Sequence, residues 1–97
     1  MSTSPLDHRT TTRVIYTGRV QGVNFRWTTR EIAVDFPVTG FVRNLADGTV
    51  ELVARGTPSL VRGFLDAVAT RFRNHFTHAD ESPFSVDEEF ESFEIRR

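Results

Sequence analysis

The 97-residue chain has room for one small domain with a single core. It contains no cysteine, which excludes disulfides, thiolate metal sites and a cysteine nucleophile, and fits a reducing cytoplasm. All twelve basic residues are arginine, which rules out Schiff-base chemistry on lysine, and the net charge of −1 is not the basic balance that general nucleic-acid binding requires.

Met1 to Thr12 is polar and threonine-rich and has no apolar segment, so it reads as a flexible leader ahead of a domain spanning 13–97. Arg13 to Thr17 is β-branched and aromatic and predicts a first strand. The spacing of Phe25, Thr29, Ile32, Ala33 and Phe36 predicts a helix from Phe25 to about Asp35, with Asn24 at its N-cap and Pro37 barring continuation. Val38 to Asn44 and Thr49 to Arg55 alternate around Asp47-Gly48, a hairpin signal. Thr57-Pro58 opens a second helix whose apolar stripe is Leu60, Val61, Phe64, Leu65, Val68 and Phe72. Gly63 within that stripe is expected to permit close approach to the sheet. A short strand over His75 to Ala79, a loop through Pro83 and a closing strand over Phe90 to Arg96 complete the chain.

The order β-α-β-β-α-β, with room for an extra edge strand, predicts an α+β domain of the ferredoxin-like split βαβ type: an antiparallel sheet with two helices on one face. No apolar run reaches membrane-span length. Charge is uneven, ten arginines against six acids over 1–73 and two against seven over 74–97. The acidic end is therefore expected to lie against an arginine-bearing surface.

Chemistry concentrates in Gly18-Arg19-Val20-Gln21-Gly22-Val23-Asn24-Phe25-Arg26. Its glycines allow backbone N–H groups to converge into an anion-binding nest, and the helix that follows adds the positive end of its dipole. Arg26 supplies a planar fork of donors that stays charged. A second segment, Gly40-Phe41-Val42-Arg43-Asn44-Leu45-Ala46-Asp47-Gly48-Thr49-Val50-Glu51, follows at a short distance. Strand parity places Gly40, Val42 and Asn44 on one face, with Asn44 the last inward position before the turn, and turns Arg43 the other way.

Together the two segments resemble the acylphosphatase family, whose pattern is Gly-x-Val-Gln-Gly-Val-x-Phe-Arg followed by Gly-aromatic-Val-Arg-Asn-x-x-Asp-Gly-x-Val-Glu. The resemblance is clear over residues 13–56. It implies hydrolysis of acyl phosphates to carboxylate and inorganic phosphate, with Arg26 and the backbone amides of Val20, Gln21, Gly22, Val23, Asn24 and Phe25 on the phosphoryl group. It also implies that Asn44 orients the attacking water. No cofactor or metal is expected, and the predicted enzyme is a cytoplasmic monomer acting on a small acyl phosphate, with no nucleic-acid or membrane partner. The alternative is a non-catalytic phosphate-binding module on the same scaffold.

Other residues have blander readings. Phe25 and Trp27 are read as core or sheet cover, Asp47 and Gly48 as turn formers, and Gln21 as either a brace for the loop or a solvent-facing residue. His75, His78, Asp80 and Glu81 lack metal-ligand spacing on a rigid helix. The family pattern more often has glycine or a larger apolar residue where Asn24 stands, so its side chain either caps the helix or competes with substrate.

Overall fold

A computed structural model describes residues 9–97. Its elements are β1 (Thr10–Gly18), α1 (Phe25–Ala33), β2 (Thr39–Asn44), β3 (Val50–Gly56), α2 (Pro58–Arg71), β4 (Phe76–Pro83) and β5 (Phe93–Arg96). The strands form one sheet in the order β4-β1-β3-β2-β5. Alternation sends Val14, Tyr16, Val42, Val50, Leu52 and Ala54 to one face, where they pack with Phe25 and Ala33 of α1 and Val61, Phe64, Leu65 and Val68 of α2. The α+β ferredoxin-like arrangement, with both helices on one face, is thus present.

The sheet is antiparallel except at one edge, where β5 pairs parallel to β2 through Gly40–Phe93 and Val42–Ile95. That corrects the all-antiparallel expectation, and the path of the chain explains it. The closing strand of the split βαβ unit is β4, antiparallel to β1 on one edge. Residues 84–92 then cross the face opposite the helices: Phe84 N–H donates to the Thr11 carbonyl, and Arg55 donates to the Val86 and Glu88 carbonyls. The chain reaches the other edge of the sheet running in the direction of β2. Of the acidic end, Glu81 pairs with Arg62 of α2, while Glu88 and Glu94 pair with Arg96 of the same segment.

β4 is longer than the sequence predicts and includes the stretch to Pro83, where a loop is expected. Its residues have weak strand propensity, but the free edge of β1 offers a row of backbone partners. Proline is tolerated on such an edge. The approach is closest at Gly18, whose φ is 131° and where a Cβ would lie 2.8 Å from the His75 carbonyl oxygen. β1 itself begins at Thr10, within the stretch read as leader; Met1 to His8 lie outside the described residues.

Local expectations at the helices also change. α1 ends at Ala33 because its last turn tightens, with Asp35 N–H bonding to the Ile32 carbonyl and Phe36 N–H to that of Ala33. Asn24 makes no side-chain cap; it takes a left-handed conformation, φ 61° and ψ 27°, which asparagine tolerates better than most residues. Gly63 admits the Phe36 ring and not the sheet, since a Cβ there would lie 2.9 Å from Cε1 of Phe36.

Candidate active site

The loop between β1 and α1 is pinned by its apolar side chains. Val20 and Phe25 are buried, Phe25 stacks on Phe72 at a centroid distance of 4.3 Å, and Val23 packs against the core. With these side chains turned inward, the loop backbone is left to face outward. Gly22 has φ 81° and open space around its Cα, and Asn24 is left-handed two residues later. Positive φ values on either side of Val23 are the backbone pattern by which an anion nest turns its N–H groups to one side. The first turn of α1 adds N–H groups with no intrahelical carbonyl to accept them.

One cavity of about 210 Å³ opens at this junction, lined by Val20, Gly22, Asn24, Phe25, Arg26, Trp27, Asn44 and Ile95. Arg26 and Asn44, 18 residues apart in sequence, therefore face a common space. None of the lining residues is acidic, so the guanidinium charge is not cancelled within the cavity. Arg26 Nη1 donates to the Arg96 carbonyl at 3.3 Å, which fixes one of its five donors and orients the fork.

Asn44 ends β2 opposite Val50, two residues beyond the Val42–Leu52 pair and so on the same face. The turn that follows is closed by Asp47, whose Oδ1 accepts from Thr49 N–H at 3.0 Å and from Thr49 Oγ1 at 2.6 Å. Those two bonds hold the Asp47 carboxyl below its ordinary range. Arg43 does turn away: its Nε lies 2.5 Å from Glu51 Oε1 on the opposite face.

Two predicted loop residues, Gln21 and Val23, do not line the cavity with their neighbours. Gln21 turns away and donates through Nε2 to the carbonyls of Leu45 at 2.8 Å and Thr49 at 2.9 Å. Gln21 is thus a brace, tying the β1–α1 loop to the turn that follows Asn44. Conversely, Trp27 and Ile95 line the cavity and were missed. Trp27 was read as core or sheet cover, yet it is 55% exposed. Its position directly after Arg26 at a helix start was the available signal.

Of His75, His78, Asp80 and Glu81, Glu81 forms a two-point pair with Arg62, each bond 2.9 Å, while His78 Nε2 and Asp80 contact one another at 3.1 Å.

The family model for acylphosphatase matches residues 12–95. The chain belongs to the acylphosphatase family. Its reaction class is accordingly hydrolysis of the carboxyl–phosphate anhydride to carboxylate and inorganic phosphate. An acylphosphatase from Lactobacillus gasseri is 40% identical over 81 residues, covering 81% of this chain and 89% of that protein. One from Acaryochloris marina is 38% identical over 89 residues, covering 88% and 91%. The crystal structure of acylphosphatase from Bacillus subtilis superposes with a TM-score of 0.77 at 30% identity, covering 90% of this chain and 98% of that one. The acylphosphatase match thus extends well past the two motifs into α2 and the closing strands.

Proposed function

We propose that Arg26 and the loop amides of residues 20–25 hold the phosphoryl oxygens of an acyl phosphate while the Asn44 carboxamide aligns one water with the phosphorus. The observation that carries this reading is the shared cavity of Arg26 and Asn44. The carboxylate of a mixed anhydride leaves readily, so positioning and charge complementarity are the main demands. As the water oxygen bonds to phosphorus, the bond from phosphorus to the acyl oxygen breaks, and the carboxylate departs with the electron pair. The carboxamide is too weak a base to keep the water's proton, which passes to a phosphoryl oxygen. The cavity-lining side chains include no nucleophile for a covalent intermediate.

The same reading makes the chain a cytoplasmic monomer without a nucleic-acid partner. The absence of cysteine supports the location and the net charge of −1 the lack of a nucleic-acid partner; no helix among the described residues is long and apolar enough to cross a membrane.

Hydrolysis of benzoyl phosphate in the presence of chelator tests the assignment. Arg26→Ala is expected to lower kcat/KM by at least about a thousandfold, and Asn44→Ala to lower kcat by about a hundredfold while inhibition by inorganic phosphate is kept. Near-parental turnover in both variants would remove both residues from the mechanism. Stabilisation by phosphate with no turnover in the parent would instead establish a binding module.

A further inference from the structure

The reading above accounts for the phosphoryl end of the substrate and leaves the acyl end without a contact. The cavity supplies one. Trp27 is the only tryptophan in the chain, and the sole other large hydrophobic residue as exposed among those described is Val34. Unlike Phe25, Phe64 and Phe72, its ring is packed in no aromatic pair of the described structure. A large flat side chain held half in water beside a charged site forgoes about half of its burial energy, which a ligand covering it would recover.

The reaction geometry says which part of the substrate that is. In-line displacement puts the acyl oxygen across the phosphorus from the attacking water. With Asn44 and its water on the β2 side, the acyl group points toward the α1 side, where Trp27 stands next to Arg26. An indole there offers a platform for a flat apolar group and no hydrogen-bonding partner for a charged one beyond its single N–H.

Resting on the proposed phosphoryl assignment, we infer that Trp27 is a specificity-determining residue that stacks on the acyl group and favours aromatic acyl phosphates over small aliphatic ones. The intrinsic reactivities of the two substrate types differ, so the informative quantity is how their ratio changes between variants.

The test compares kcat/KM for benzoyl phosphate and acetyl phosphate in the parent, Trp27→Ala and Trp27→Phe. Trp27→Ala should lower the benzoyl-to-acetyl ratio about tenfold, and Trp27→Phe should restore most of it. An equal fall for both substrates in Trp27→Ala, or an unchanged ratio, would overturn the inference. Because Trp27 is the only indole, its fluorescence gives a second readout independent of turnover. Benzoylphosphonate, a non-hydrolysable mimic, should perturb the emission saturably and bind about tenfold more tightly than acetylphosphonate. Equal affinities would overturn the proposal whether or not turnover is seen. Failure to hydrolyse either acyl phosphate, with unequal phosphonate affinities, would count against the phosphoryl assignment alone.

Discussion

The two faces of the sheet are built on different physics. The helix-covered face is dry: Val14, Val42, Leu52, Phe64 and Val68 are essentially inaccessible, and their contribution comes from close packing and removal of apolar area from water. The opposite face carries charge. Glu51 is buried, yet it sits between two guanidinium groups, Arg13 Nε and Arg43 Nε, each at 2.5 Å. Nearby, Arg55 and Arg96 lie over the rings of Phe90 and Phe41 at 4.7 and 4.3 Å. β2 contributes to both faces at once, giving Val42 and Asn44 to the helix side and Arg43 to the ionic side. A one-residue slip would exchange Asn44 for Arg43 at the cavity. The ionic face therefore matters to the site even though it touches no substrate: it makes the wrong register expensive.

Breaking each face separately should expose the contrast. Phe64→Ala, which removes a fully buried ring touching Phe36 and Phe93, is expected to cost about 3–5 kcal/mol in urea denaturation, at every pH where the parent is folded. Glu51→Gln should cost less, about 2 kcal/mol, because both arginine partners are partly exposed and retain some solvation. Its loss should also depend on pH. Burial pushes the Glu51 carboxyl up, but the hydrogen bonds and charges of Arg13 and Arg43 outweigh it and leave the group below its ordinary range. A folded-state value below the unfolded one gives stability that is complete above the usual glutamate range, about 4.3, and is lost as pH falls through the folded value. The gap between parent and Glu51→Gln should thus be constant near neutrality and shrink in acid. A gap that widened on acidification would contradict the ionic account. Smallest in stability is Gln21→Ala, about 1 kcal/mol by the ordinary net worth of part-buried hydrogen bonds. It should nevertheless lower kcat about tenfold, since Asn44 loses the tie to the anion loop.

The same contrast explains what could be read from the sequence. The loop and the hairpin turn were legible because their constraints are local: glycines in the loop, Asp47-Gly48 at the turn, and alternation that fixes the side of Asn44; the left-handed Asn24, expected as an N-cap, was not. The dry face was legible from periodicity in β1, β2, β3 and α2. β4 was underestimated because a polar strand on an edge is formed by its partner's open backbone, which no pattern within His75 to Pro83 announces. The direction of β5 was equally hidden, being decided by where the crossing segment exits. Trp27 escaped for a simpler reason: tryptophan is usually buried, and that rule fails where a cavity opens at a helix start.

Gln21 has a consequence for how the protein acquires activity. Its two acceptors lie 24 and 28 residues further along the chain, so the bond closes a wide loop. Neither α1 nor the β2–β3 hairpin, formed alone, brings the two motifs together. Refolding followed by enzyme assay should therefore show catalysis returning only with the slow, long-range docking of β1 onto β3, behind any early gain of helical signal.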